Sequence, residues 1–237
     1  MRVDILTLFP GMFESVLSQS ILKRARESAR LDVRVHDIRL EAKDRHRTCD
    51  DRPFGGGPGM VLKAEPIDRT LRRVVGTPAA ARKKGAELIY MSAQGEPLKQ
   101  KTAEALSKKR RLVVLCGHYE GVDHRLLQAW AMREISLGDF ILTGGEIPAM
   151  ALLDAVARLL PGVLGNAESK SCESFSENLL EYPQYTRPAL WRRRRVPAVL
   201  LTGNHAAIDR YRREESARRT AECRPDLLEK QTRRKRS

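Results

Sequence analysis

Residues 46–60, HRTCDDRPFGGGPGM, hold the residue types and spacing best suited to chemistry in this chain. Gly55, Gly56, Gly57 and Gly59, with Pro58 between them, exclude both helix and strand. Glycine loses the most backbone freedom on folding, so four together imply a backbone that passes close to a ligand and presents bare N–H groups to it. Pro58 favours a shaped loop over a floppy one. Asp50 and Asp51, with Arg47 and Arg52, put ionised groups just upstream. A flexible surface loop is the plainer alternative. Other chemistries find no support. No GxGxxG follows a strand, and GxxxxGK[ST], HExxH and GxSxG are absent. His36, His46, His118, His124 and His205 lack metal-ligand spacing and read as structural or solvent-facing. Metal hydrolysis and acyl transfer lose weight, leaving glycine-rich backbone loops, carboxylates and a basic appendage.

The elements that would position these loops follow from periodicity. Residues 3–9 are a continuous apolar run, the pattern of a strand buried on both faces. Within 12–29, Phe13, Val16, Leu17, Ile21, Leu22 and Ala25 fall near helical spacing. Leu31, Val33 and Val35 alternate with charged residues as a half-buried strand. Residues 66–75 read as a helix and 77–85 as a mobile loop. Residues 87–91 and 112–116 are two further apolar strands, ending in the polar loops SAQGEP and GHYEGVD. A strand over 134–142 leads through TGGEIP into a helix to about Leu160. Alternating strands and helices argue an α/β fold with a parallel sheet, whose ligands bind outside the carboxyl ends of the strands. The three loops are therefore expected on one edge of the sheet.

After Pro161 the pattern changes. The polar stretch PGVLGNAESKSCESFSENLLEYPQ reads as a linker, and the remainder as a small, mostly helical, basic domain. The expected division is 1–160, a flexible linker at 161–178, and 179–237. The formal net charge is +14. From Arg187 onward 16 lysines and arginines face 6 carboxylates, so the last 51 residues carry most of the excess. Such a balance calls for a polyanionic partner, a nucleic acid or an anionic membrane surface. The most apolar helix candidate, AMALLDAVARLL, is interrupted by Asp154 and Arg158 and is too short to span a bilayer. The N-terminal apolar run reads as a strand and not as a signal peptide. Cys49, Cys116, Cys172 and Cys223 lie far apart with no CxxC pair, so structural zinc is not expected and a reducing cytoplasm is.

Seven collinear motifs resemble a known family. They are LFPGMF from Leu8, DRHRTCDDRPFGGGPGM from Asp44, CGHYEGVD from Cys116, SLGDFILTGGEIPAM from Ser136, RLLPGVLG from Arg158, YPQYTRP from Tyr182 and VLLTGNHAAI from Val199. Together they span nearly the whole chain and resemble the bacterial tRNA (guanine-N1)-methyltransferases of the TrmD type, in the SPOUT superfamily. The resemblance implies a parallel-sheet SPOUT domain with a C-terminal trefoil knot, a flexible linker and a small, mostly helical, tRNA-binding domain. It implies a homodimer with composite active sites and S-adenosylmethionine as methyl donor. The implied substrate is N1 of the guanosine immediately 3′ of the tRNA anticodon. The reaction is magnesium-assisted in the family, but nothing in the sequence locates an ion site.

By motif, the resemblance implies a cofactor site at Tyr90, Met91, Ser92 and Gln94, at Gly117, Tyr119, Glu120 and Gly121, and at Leu137, Gly138, Asp139, Phe140, Ile141 and Leu142 with Gly144 and Pro148. Leu137, Ile141 and Leu142 serve equally as core. Asp50, Gly59 and Met60 are implied to hold the target guanine. Guanine N1 carries a proton at neutral pH, so a base must remove it, and a cation should stabilise charge building on O6. The family's base is a linker aspartate in an Asp-Ser-Phe context. Here the matching residue is Glu173, one methylene longer, with Glu168 as runner-up and ordinary linker carboxylates as the plain alternative. Arg158 is the implied partner of O6. Arg192, Arg193, Arg194 and Arg195, with Arg210, Arg212, Arg213, Arg218 and Arg219, read as a phosphate footprint. His205 is a family landmark on the substrate side whose role does not follow from the residues. Two other readings remain open: a SPOUT enzyme acting on another RNA, and a non-catalytic RNA-binding factor.

Overall fold

The computed structural model describes residues 1–164, 174–175 and 178–228. The chain divides into two compact units, Met1–Gly165 and Asn166–Ser237. In the first unit, β1 (Arg2–Thr7) and β2 (Asp32–Asp37) are connected through α1 (Glu14–Leu17) and α2 (Ser20–Glu27). A short ladder of β3 (Asp50–Asp51) and β4 (Val61–Leu62) brackets the glycine run and leads into α3 (Ala64–Val75) and α4 (Pro78–Lys83). There follow β5 (Ala86–Pro97), α5 (Gln100–Ser107), β6 (Arg111–Cys116), α6 (His124–Trp130), β7 (Arg133–Ser136) and α7 (Glu146–Ala157). The five long strands form one sheet in the order β2-β1-β6-β5-β7, with every pairing parallel.

The apolar runs of β1 and β6 are explained by cover on both faces. Val3, Ile5 and Val114 pack with Ala149, Leu152 and Val156 of α7, while Leu6, Val113 and Leu115 pack with Ile67 and Leu71 of α3 and Trp130 of α6. One carboxylate interrupts β1. Asp4 is fully buried and accepts from Arg2 at 2.9 Å and from Arg111 at 2.8 Å, with His36 Nε2 also 2.8 Å away. Burial alone would raise its pKa, but these hydrogen bonds and the charge of Arg111 outweigh it and hold the carboxyl down to about 2.

Four local expectations are corrected. Residues 77–85 are not a loop: the Thr77 hydroxyl accepts from Ala80 N at 3.2 Å, Pro78 takes the first turn, and the alanines then propagate α4. The helix expected over 12–29 is broken into α1 and α2, where Ser20, the first residue of α2, adopts φ +49°. The strand expected to Leu142 ends at Ser136, whose hydroxyl donates to Gly138 O and accepts from Gly138 N, closing a turn. SAQGEP does not end β5. The strand bulges over this segment and pairs with β7 on both sides of it, at Met91–Ile135 and again at Glu96–Ile135.

In the second unit, β8 (Leu190–Trp191) and β9 (Arg194–Arg195) form a hairpin, and α8 (His205–Cys223) is capped by Asn204, whose Oδ1 accepts from Ala207 N at 3.1 Å. The hairpin turn is Arg192–Arg193, both at positive φ (+46° and +65°), a conformation usually left to asparagine or glycine. Among the described residues no helix is long and apolar enough to cross a membrane.

Candidate active site

At the carboxyl ends of β5, β6 and β7 lies a cleft of about 450 Å³, within the size range of small-molecule sites. Parallel strands bring the segments after β6 and β7 to one edge, where the bulge inside β5 joins them in place of the strand-end loop expected at SAQGEP. The bulge in β5 turns Ser92 and Gln94 into the cleft beside Tyr90 and Met91. It can form there because Gly95 has no side chain: a Cβ would fall 2.5 Å from the carbonyl carbon of Glu134. The loop after β6 contributes Gly117, Tyr119, Glu120 and Gly121. Gly117 permits the ring of Tyr90 to lie against the backbone, since a Cβ would meet the Tyr90 hydroxyl at 2.7 Å. Burial, then the charge of Glu134, pushes that hydroxyl up to about 12, so Tyr90 is a neutral phenol at physiological pH.

The segment after β7 supplies Leu137, Gly138, Phe140, Ile141, Leu142, Gly144 and Pro148. Asp139 belongs to this segment but is not part of the lining. Ile141 is 82% exposed and Phe140 is 55% exposed, so they are walls of an open cleft and not core. The segment is anchored where Gly145 N donates to Gly117 O at 2.8 Å, and a Cβ on Gly145 would lie 2.7 Å from Gly117 N. Beneath it, the buried Glu146 carboxylate accepts from Thr7 Oγ1 at 2.6 Å. Burial and Glu146 raise the Cys116 thiol well above its ordinary range, which removes it as a nucleophile.

The lining also holds residues that motif reading missed: His118, His124, Glu134, Ser136, Thr143 and Gly145. His118 Nδ1 is buried with no hydrogen-bond partner among the described residues, and a Cβ on Gly144 would lie 2.8 Å from it. Its position directly after Gly117 in GHYEGVD was the available signal. Chemically the cleft suits S-adenosylmethionine. Leu137 and Leu142 could wall an adenosine, backbone groups of the lining segments could donate and accept, and the lining carboxylates Glu120 and Glu134 could face a sulfonium. Among the described residues no three His, Cys, Asp or Glu side chains come together, so they offer no built site for a magnesium ion.

The glycine run touches this cleft from outside. Glu120 N donates to Met60 O at 2.9 Å, Leu62 N to Gly121 O at 2.9 Å, and Asp123 N to Leu62 O at 3.0 Å. Gly59, at φ +81°, lies so near Glu120 that a Cβ would be 2.5 Å from Glu120 Cγ. Asp50 is half-buried and paired with Leu62 in the ladder. Gly55, Gly56 and Gly57 also have positive φ and stand clear of other atoms. Arg158 caps the C-terminal end of α7. Twelve residues from Glu146 at a rise of about 1.5 Å put it roughly 18 Å along the helix from the cleft end. Glu173 and Glu168 lie outside the described residues. In the second unit Arg192–Arg195 are exposed on the hairpin, with the Arg192 guanidinium 5.0 Å over the Trp191 ring, and His205 is exposed at the start of α8.

Fold and cleft together place the chain among α/β enzymes that bind a small organic molecule at the ends of parallel strands. Comparison with known families narrows this class. The family model described as tRNA (Guanine-1)-methyltransferase TrmD matches residues 1–230, and the chain belongs to that family. A relative from Geobacillus kaustophilus, named tRNA (guanine-N(1)-)-methyltransferase, is 55% identical over 230 residues, covering 97% of this chain and 92% of its own length. Proteins of the same name from Moorella thermoacetica and Chloroflexus aggregans are 54% and 52% identical over 228 residues, covering 96% of this chain and 90% and 88% of theirs.

Proposed function

We propose that the chain methylates N1 of the guanosine immediately 3′ of the tRNA anticodon, using S-adenosylmethionine. The observation that carries this reading is the cleft at the ends of β5, β6 and β7, built from the family's motifs and tied by backbone hydrogen bonds to the glycine run. When bound, the cofactor supplies a methyl group on a sulfonium centre. Backbone groups of the segments at 92–94, 117–121 and 137–144 hold it, and Ile141 and Leu142 exclude water from one side. Asp50 and Gly59 hold the target guanine, whose N2–H donors suit a carboxylate or a carbonyl and distinguish it from adenine, which leaves the N1 proton to the general base. A nucleotide in a single-stranded loop reaches such a site at low unstacking cost. Glu173 takes the N1 proton as the ring nitrogen attacks, and Arg158 stabilises the charge that develops on O6.

Arg158 stands far along α7 from the cleft of its own chain. This supports a homodimer in which one copy supplies the cofactor cleft and the other completes the site. The segment from Leu137 through α7 returns from the edge strand β7 to the end of β6, which supports the trefoil knot that the resemblance implies. The exposed arginines of the second unit hold the tRNA backbone. A tRNA substrate puts this work in the cytoplasm.

Complementation tests the composite site. Glu173→Gln and Gly117→Leu chains are each expected to be inactive as homodimers, the first for want of a base and the second because Tyr90 and the cleft are obstructed. If each site draws on both copies, a mixed dimer holds one intact site of two and regains up to about half of the activity of a wild-type dimer. Mixed dimers without activity contradict the shared arrangement.

A further inference from the structure

The second unit contains a cavity of its own, about 480 Å³, between the 182–187 segment and α8. Its walls are Tyr182, Tyr185, Arg187 and Arg212, and its floor includes Leu201 and Ile208. The Arg212 guanidinium lies 4.9 Å over the ring of Tyr182. Tyr185 shares a hydrogen bond with Tyr211, which anchors its ring while the residue stays 47% exposed. Arg212 Nε is buried with no hydrogen-bond partner among the described residues. A buried N–H left without an acceptor is costly, and the second cavity is one of two places in the chain where such an atom occurs among the described residues. Gln184, on the same wall, donates from Nε2 to Glu181 Oε1 at 2.6 Å, which orients its amide.

We propose that this cavity receives one unstacked nucleotide of the tRNA, distinct from the guanosine that is methylated. The inference rests on the tRNA reading above and adds a second contact to it. Two aromatic rings and a guanidinium plane are what a flat base stacks on. Arg212, whose Nη1 lies 3.8 Å from Asp209 Oδ1, adds its guanidinium plane to the stacking surface. Among the described residues no Asp or Glu lines the cavity, and Asp209 is paired with the wall residue Arg212. Arginines that merely neutralise phosphates need no cavity, whereas a base does. An anionic occupant also fits a segment in which, from Arg187 onward, 16 basic residues face 6 acidic ones.

The test uses the full chain and unmodified tRNA transcripts. Tyr182→Ala removes one stacking face, Ile208→Trp fills the cavity, and Tyr182→Phe keeps the ring. Dissociation constants are measured for tRNA across a salt series and for S-adenosylmethionine. Tyr182→Ala and Ile208→Trp are expected to weaken tRNA binding about 5- to 100-fold, the size of one base–aromatic stack. The slope of log affinity against log salt should not change, because no phosphate contact is lost. Cofactor affinity should hold, Tyr182→Phe should recover binding, and 4-thiouridine in a single-stranded tRNA position should photocrosslink to a peptide containing residues 182–187. Wild-type tRNA affinity in both disruptive variants overturns the proposal. So does a loss shared with cofactor binding, or amide-exchange protection of 182–187 that appears on dimerisation without RNA, since either makes the cavity a protein contact. Failure of the unsubstituted chain to bind tRNA at all would instead strike the functional reading beneath it.

Discussion

Asp4 shows how one side chain sets a property of the whole fold. Its carboxyl is fully buried among Arg2, His36 and Arg111 and titrates at about 2, below the unfolded value of about 3.9. The ionised form therefore stabilises the folded state above about pH 4, and that contribution, roughly 2 kcal/mol, is lost as pH falls toward 2. Asp4→Asn should lower stability at neutral pH by about 3 kcal/mol, because it leaves cations without their partner. It should also flatten the pH dependence of the urea midpoint between pH 4 and 2, and superimposable profiles for the two proteins would contradict this account. At the active site, Glu173→Gln should reduce methyl transfer about 10²- to 10⁴-fold while leaving S-adenosylmethionine affinity unchanged. Residue identities at the cleft were legible because they sit in contiguous motifs: the segments around Tyr90, Gly117 and Leu137 all reach it. His118 and Glu134 were not, since a lone histidine or glutamate carries no periodic signal and acquires meaning only from neighbours brought in by the fold.

At the scale of elements, the cleft depends on two places where backbone passes against backbone. A Cβ on Gly95 would lie 2.5 Å from the carbonyl carbon of Glu134, and one on Gly145 would lie 2.7 Å from Cys116 Cα. Neither obstacle is the movable end of a side chain. Gly95→Ala and Gly145→Ala should each weaken S-adenosylmethionine binding at least tenfold by calorimetry. Gly57→Ala, facing open space at φ +117°, should cost about 1–3 kcal/mol of backbone strain and leave cofactor affinity intact. Equal effects at all three positions would contradict the close-approach argument. The strands were legible from their apolar runs because both sheet faces are covered. The bulge in β5 was not, because periodicity cannot show that a strand resumes its pairing beyond a polar insertion. Helix α4 was hidden by its basic composition, although Thr77 and Pro78 carried the capping signal.

At the scale of the molecule, the division into Met1–Gly165 and Asn166–Ser237 separates the cleft from the last 51 residues, in which 16 lysines and arginines face 6 carboxylates. A fragment ending at Gly165 should fold, dimerise and bind S-adenosylmethionine, yet lose tRNA affinity about 100-fold or more at physiological salt. Full tRNA affinity in that fragment would overturn the division of labour. The charge asymmetry was legible in composition, and the parallel sheet in alternating periodicity. Threading of the chain and the pairing of two copies are not properties of local pattern, so they entered only through family resemblance. The most direct measurement of the central claim is methyl transfer from S-adenosylmethionine to two unmodified tRNA transcripts, one with guanosine immediately 3′ of the anticodon and one with adenosine there. Nucleoside mass spectrometry then locates the product. We expect 1-methylguanosine from the first transcript and no product from the second. Methylation of both transcripts, of another atom, or of neither while the cofactor remains bound would contradict the proposed substrate and chemistry.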